Sequence, residues 1–320
     1  MPAEATAASR QTLDELAERT IGRARAGTDP LAAAIARVPP ADYHDPDRWR
    51  AEIDLVFRRL PLVLGFSCEL GEPGAYKALD VAGVPIVLVR STGGGVGAFV
   101  NSCSHRGAIV VPDGSGTARR FTCPYHAWSY DTDGALVGIL DREMFGDLDP
   151  ACHGLTPLPV AERSGIVFGL IDPTRSGEYL DPLLDRFLCG YDRLLDHFGF
   201  ADCSFVGHQT VDGPNWKVAY DGYLDFYHLP ILHRESFGPR IPNTAIYDAW
   251  GPHQRVSSPD RQMLALGERA SDGWTDAELT TGVWTIFPHA SIATFTIDRD
   301  ADGGEDRRIF MISTLFPGQE

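Results

Sequence analysis

Four side chains able to bind a soft metal or to exchange electrons fall in one stretch, "CSHRGAIVVPDGSGTARRFTCPYH" (103–126). Cys103 and His105 form a Cys-x-His pair, Cys123 and His126 form a Cys-x-x-His pair, and seventeen residues separate the two. Each pair puts two ligands on one tight loop, and a β-scaffold can bring two such loops face to face. A structural zinc, a disulfide and an electron-transfer centre all draw on these residue types. Zinc fingers keep Cys with Cys and His with His, whereas each pair here is mixed. Mixed pairs suit a centre in which two thiolates hold one iron and two imidazoles hold the other, with zinc as the alternative on ligand type alone.

A second group lies downstream, in "NWKVAYDGYLDFYHLPILHRES" (215–236). Asp221, Asp225 and His228 follow i, i+4, i+7 spacing, which puts them on one face of a helix. His233 comes five residues after His228 and would point elsewhere in a regular helix, but Pro230 between them predicts a kink that lets both imidazoles converge. Two histidines with a carboxylate make the facial triad of non-haem iron(II) enzymes, which leaves positions open for oxygen and substrate. Alone, such a run is a weak signal and reads first as two unrelated helix histidines.

The two groups together carry a resemblance. "CSHRG" and "CPYHAWSYD" resemble the Rieske boxes of ring-hydroxylating oxygenases, with Ala127 where the family usually has Gly. Asn215, Trp216, Lys217, Asp225, Tyr227, His228 and His233 match the catalytic motif of the α (large) subunits of that family. Asp221 replaces the usual Glu there, and Gly222 stands where Asn is common. The resemblance covers about 45–320 and implies an α+β protein: an all-β Rieske domain followed by an α+β helix-grip (START-like) catalytic domain. It implies a Rieske-type 2Fe–2S cluster on Cys103, His105, Cys123 and His126, with the two Cys on one iron and the two His on the other. It also implies a mononuclear Fe(II) bound by His228 and His233. Asp225 would orient His228 and bridge to His126 of a neighbouring subunit. The implied partners are a ferredoxin or flavin reductase as electron donor, O2, and a small organic substrate. The implied assembly is a homotrimer, or a trimer with a small β subunit. The implied reaction is hydroxylation of an aromatic compound, cis-dihydroxylation first, with monooxygenation or oxidative demethylation second. A Rieske electron carrier without oxygenase activity is a further reading. The family's third iron ligand is a carboxylate on a later helix. Asp298, Asp300, Asp302 and Asp306 read instead as residues of a hairpin tip, so the chain is expected to be C-terminally truncated and its catalytic domain incomplete.

The elements that must position these residues follow from pattern. Residues 1–60 read as an N-terminal helical arm, with Leu13, Leu16 and Ile21 on one face of a helix that Gly27 ends. Trp49, Ile53, Val56 and Phe57 mark a second helix. From 61 to 172 short β-type runs alternate with turns, Asp133-Gly134 being one hairpin signal. The glycines of "STGGGVGAF" do not match a dinucleotide loop and predict a plain β-turn. Residues 178–200 read as one helix joining two domains, and 173–320 as the partial catalytic domain.

Composition excludes several classes. A net charge of −16 with no basic run argues against nucleic acid or an anionic membrane as partner. The N-terminus shows no apolar signal region, and six scattered cysteines do not make a disulfide framework, so a cytoplasmic location is expected. His44, His153, His197, His208 and His253 lack ligand spacing. His289 lies on a strand that in the family can face the substrate pocket. Cys68, Cys152, Cys189 and Cys203 read as buried or incidental thiols.

Overall fold

Val, Ile, Phe and Tyr concentrate in short runs between residues 62 and 169, and there the chain forms ten strands. These are β1 (Leu62–Phe66), β2 (Ala75–Val81), β3 (Val84–Arg90), β4 (Val96–Val100), β5 (Gly114–Thr117), β6 (Arg120–Thr122), β7 (Ser129–Asp131), β8 (Leu136–Gly138), β9 (Val160–Arg163) and β10 (Ile166–Gly169). They pair antiparallel in three small sheets, ordered β4-β3-β2-β5, β6-β7-β8 and β1-β10-β9. Two-residue turns set the register of two hairpins. Ala82-Gly83 (φ 52° and 81°) joins β2 to β3, and Ser164-Gly165 (φ 55° and 74°) joins β9 to β10. Positive φ at both central positions matches the right-handed twist of the flanking strands. "STGGGVGAF" is the expected turn, between β3 and β4. Asp133-Gly134 likewise turns β7 into β8, with Asp131 Oδ1 accepting from the amides of Asp133 and Ala135.

The computed structural model describes residues 3–28, 30–175, 177, 179–236, 242–297 and 307–318, and it divides into two units. The first, residues 46–187, 199–210 and 316–320, contains all ten of these strands. Its core gathers Val87, Val89, Phe99, Phe121, Trp128, Tyr130 and Leu136, together with Cys103 and Cys123.

The second unit takes residues 1–45, 188–198 and 211–315. Five antiparallel strands form its sheet in chain order: β11 (Ile246–Trp250), β12 (His253–Ser257), β13 (Val283–Ile286), β14 (Ala290–Ile297) and β15 (Arg307–Thr314). Its helices include α1 (Ala3–Ala26) and α2 (Ala41–His44); α3 (Pro46–Glu52) belongs to the strand-rich unit. Gly27, at φ 61°, ends α1 as its sequence predicts. Leu13, Leu16, Ala17, Thr20 and Ile21 of α1 are all buried, so this helix is core rather than a loose arm. Residues 178–200 differ from the single helix expected. Cys189 (φ 53°) and Gly190 (φ 82°) break the run into α4 (Asp181–Leu188) and α5 (Asp192–Leu195). The apolar spacing persists across the break because Tyr191 and Leu194 are buried too. Two further helices, α6 (Trp216–Leu224) and α7 (Leu229–Leu232), carry the second ligand group. Short helices α8 (Arg261–Leu266) and α9 (Asp276–Leu279) lie between β12 and β13.

Candidate metal centres

The first pair of loops folds nearly alike. The Gly107 amide donates to Cys103 O (2.8 Å), and the Ala127 amide donates to Cys123 O (3.0 Å). Each turn then returns its chain to the cysteine, through Cys103 N to Ala108 O and Cys123 N to Trp128 O, both 2.8 Å. Such a turn needs a left-handed residue four positions after the cysteine. Gly107 meets this at φ 73° without strain, and Ala127 meets it at φ 58° with its methyl group retained. The buried Asn101 holds the first loop shut. Its Nδ2 donates to Val111 O (2.6 Å), and its Oδ1 accepts from the amides of Val110 (3.1 Å) and Val111 (3.0 Å).

This folding puts Cys103 and Cys123 into the hydrophobic core and leaves His105 and His126 half-buried, their ring centroids 4.7 Å apart. His105 Nδ1 is buried and has no hydrogen-bond partner among the described residues. Burial, His126 and Arg106 lower the His105 pKa and keep the ring neutral, as a metal ligand must be. Around the pair lies a shell that ligand spacing does not announce. Trp128 stacks on His105 (4.8 Å, 12°) and Phe145 meets both rings edge-on. The Tyr130 hydroxyl lies 3.1 Å from Cys103 Sγ, and burial with that contact pushes its pKa up to about 12, so it stays a donor. Ser104 donates its amide to Tyr130 Oη (3.1 Å) and its hydroxyl to His153 O (2.6 Å). His153 thus supports the shell through its carbonyl, although its sequence position suggested nothing. The aromatic run "WSY" after His126 was the available signal for Trp128 and Tyr130.

The second group departs from the kinked helix that its spacing predicts. Asn215 caps α6 by accepting from the Lys217 amide (3.0 Å), and Trp216 and Tyr220 bury its inner face. The Asn-Trp-Lys run is therefore a helix start and an anchor. Helix α6 stops at Leu224 because Asp225 turns extended (φ −88°, ψ 106°) and its Oδ1 takes the Tyr227 amide (2.7 Å). Asp225 and His228 thus share a turn, not a helix face. Pro230 sits in the first turn of α7, where its missing N–H costs nothing. His228 and His233 flank that single turn as its two end residues, and their ring centroids lie 5.3 Å apart. His228 Nδ1 is 3.4 Å from Asp225 Oδ2. Phe226 and Leu229 pack on Val256, with Leu224, Ala245 and Val283 alongside, and the Tyr247 hydroxyl donates to Leu224 O (2.7 Å). This cluster fixes the histidine-bearing turn to the sheet. Asp221 accepts from the Tyr43 hydroxyl (2.6 Å), and the space beside Gly222 is open, so the family's Asn would fit there sterically.

Other expected residues are placed as follows. His289 is fully buried in the turn between β13 and β14, not on a strand, and burial holds its pKa down at about 3. His197 joins Ser9 and Asp276. The four remaining cysteines form no disulfide and none is buried: Cys152 and Cys189 are exposed, Cys68 and Cys203 intermediate. Asp298, Asp300, Asp302 and Asp306 lie outside the described residues.

Family models match the two stretches of chain that carry these residues. Residues 61–144 match the Rieske [2Fe–2S] domain, and residues 200–297 match the ring-hydroxylating α subunit (catalytic domain). The chain therefore carries both domains of the Rieske oxygenase α-subunit family, a Rieske domain and a ring-hydroxylating α-subunit catalytic domain. It is 27% identical over 298 residues to the chlorobenzene dioxygenase α subunit of a Cupriavidus species, covering 80% of this chain and 65% of that one. It is 30% identical over 206 residues to the glycine betaine monooxygenase oxygenase subunit of Chromohalobacter salexigens, covering 64% of this chain and 44% of that one. The chain therefore spans less than two thirds of the length of these curated relatives. Naphthalene 1,2-dioxygenase from a Rhodococcus species, solved with indole bound, shares the fold: TM-score 0.67 at 24% identity, over 96% of this chain and 73% of that one.

A chain of this family carries a Rieske 2Fe–2S cluster and a mononuclear iron. The first donor set fits: two buried thiols, two neighbouring imidazoles, and a buried imidazole nitrogen, His105 Nδ1, with no hydrogen-bond partner among the described residues. Among the described residues no three His, Cys, Asp or Glu side chains gather as a single-ion site. A cluster whose two irons take two protein ligands each does not require one. For the mononuclear iron the fit is partial, because His228 and His233 converge but no described carboxylate joins them as a third ligand.

Proposed function

We propose that this chain is the oxygenase component of a system that takes single electrons from a ferredoxin or flavin reductase and hydroxylates a small organic substrate. Cys103 and Cys123 would hold one iron of the cluster and His105 and His126 the other. His228 and His233 would hold the mononuclear iron, which when bound supplies the activation of O2. The convergence of His228 and His233 on one anchored turn carries this reading, since a simple electron carrier has no use for it. Asp225 Oδ2 would accept a hydrogen bond from His228 Nδ1–H and so favour the tautomer that leaves the other ring nitrogen free for metal. Phe226 and Leu229 hold that turn against the sheet and exclude water beneath it.

Electrons would pass between subunits of a trimer, with Asp225 bridging His126 of a neighbouring subunit to His228. In support, Tyr227, Ile231 and Leu232 are exposed beside the two histidines and give a neighbour an apolar surface to cover. The first substrate reading is an aromatic compound dihydroxylated on the ring. Similarity to a glycine betaine monooxygenase subunit supports a second, monooxygenation or demethylation of a quaternary amine.

Iron analysis and EPR on the intact protein test the proposal. Two iron populations are expected, a cluster with a Rieske-type signal and a separate mononuclear Fe(II). His228→Ala should remove the second and leave the first. Retention of all iron in that variant would refute the oxygenase reading in favour of a carrier. Reductase-coupled oxygen uptake with benzene-type compounds against betaines would then separate the two substrate classes.

A further inference from the structure

Two polar atoms near the first centre are buried with no hydrogen-bond partner among the described residues: His105 Nδ1 and Trp128 Nε1. Metal ligation accounts for the first. Nothing yet accounts for the second. A buried indole N–H usually finds an acceptor, and two others in this chain do. Trp284 Nε1 donates to Thr280 O (3.1 Å) and Trp274 Nε1 to Leu266 O (3.0 Å). Trp128, at 2% exposure, lies between those two in burial. It could not easily turn away to find water. Its ring lies flat on His105, Phe145 closes one edge at 5.6 Å, His153 another at 5.9 Å, and its carbonyl is tied to the Cys123 amide.

We propose that the Trp128 indole N–H is a donor reserved for a sulfur of the cluster, and that Trp128 is a positioning residue which tunes the cluster's readiness to accept an electron. This rests on the Rieske reading of Cys103, His105, Cys123 and His126. Sulfurs of an iron–sulfur cluster are acceptors, and reduction makes the cluster more negative and them more basic. An N–H held against one therefore stabilises the reduced form more than the oxidised form. One electron arrives from the reductase, the N–H stays on the indole, and no proton is transferred. The same ring, stacked on His105, fixes the plane of a ligating imidazole. Shape and donor are thus combined in one side chain, and the two roles can be separated by substitution.

Trp128→Phe keeps an aromatic ring in the stack and deletes the donor. In an EPR-monitored redox titration of the intact, cluster-loaded protein, the ratio of reduced to oxidised cluster at fixed potential is expected to fall about tenfold, or ~59 mV for one electron. An unchanged potential at equal cluster content would overturn the proposal and assign the N–H to a trapped water. Should Trp128→Phe fail to assemble a cluster, wild-type protein grown with indole-¹⁵N tryptophan gives the decision. Pulsed EPR of the reduced cluster is expected to show coupling to an indole nitrogen, and its absence would overturn the proposal. A wild-type protein lacking any Rieske-type signal would instead refute the ligand assignment beneath it.

Discussion

Ala127 is the residue at which the two ligand loops stop being equivalent. Its backbone is left-handed where Gly107 stands in the partner loop, and an L-residue with a Cβ occupies that region at a cost of roughly 1 kcal/mol. Ala127→Gly should therefore stabilise the protein by ~0.5–1 kcal/mol, less the entropy that glycine adds to the unfolded chain. Urea unfolding of the two proteins would show it as a shifted midpoint with an unchanged slope. Asp225 offers a different test. Its carboxylate contacts His228 without being a ligand of the described set. Supporting carboxylates of this kind typically cost ~10–100-fold in metal affinity or activity when removed. Asp225→Asn should lose that much oxygenase activity and retain a normal cluster spectrum. Loss of the cluster signal as well would mean that Asp225 acts on the fold rather than on His228.

Among the elements, α1 is the one whose role the sequence concealed most. Its apolar positions were legible, but not the polar relay that fastens it. Ser9 Oγ lies 2.9 Å from His197 Nε2, and His197 Nδ1 lies 2.9 Å from Asp276 Oδ2, which links α1 to the segments around α5 and α9. Arg10 adds a contact to Asp276 (3.1 Å). The order Ser–His–Asp imitates a nucleophilic triad. However, Ser9 is buried within a helix, where its own amide is spent on the helix ladder and cannot stabilise an oxyanion. The arrangement is a fastening. Ser9→Ala leaves the largely buried His197 without one partner and should cost ~1–3 kcal/mol, read as a lower unfolding midpoint with iron content unchanged.

The elements also show why some of the fold could be read and some could not. Strands and hairpins of the cluster unit follow from local β-branched runs and turn residues such as Asp133-Gly134, and the ligand pairs were visible because their spacing is local. The break at Asp225 was not visible. It depends on a side chain outcompeting the helix for the Tyr227 amide, and on Phe226 and Leu229 being drawn to Val256, far off in sequence. Helical spacing from Asp221 to His228 survives in the sequence even though the helix does not. The Trp128–Phe145–Tyr130 shell is likewise a product of packing, with Phe145 supplied by a short 3-10 helix (Arg142–Phe145) beyond β8.

At the scale of the whole molecule, acid should be the weak side. His289 is buried with its pKa near 3, against an ordinary value of about 6.5. The folded protein keeps that imidazole neutral while the unfolded chain takes a proton. The stability tied to it is complete above about pH 6.5 and falls by up to ~1.4 kcal/mol per unit as pH drops towards 3. Stability measured from pH 7 to 4 should show this slope, and His289→Gln should flatten it. An equal slope in the variant would place the acid sensitivity elsewhere.

Helix α1 belongs to the catalytic-type unit, yet α5, α8 and α9, on which it packs, are encoded only after the ten strands of the cluster unit. At a synthesis rate of ~5–20 residues per second, α1 leaves the ribosome on the order of ten seconds or more before its partners exist. Leu13, Leu16, Ala17 and Ile21 spend that interval uncovered. The ten strands of the cluster unit are all made by Gly169, ahead of α5, and can close first. Nascent chains of this protein should therefore present chaperones with one early, sticky helix beside a finished domain.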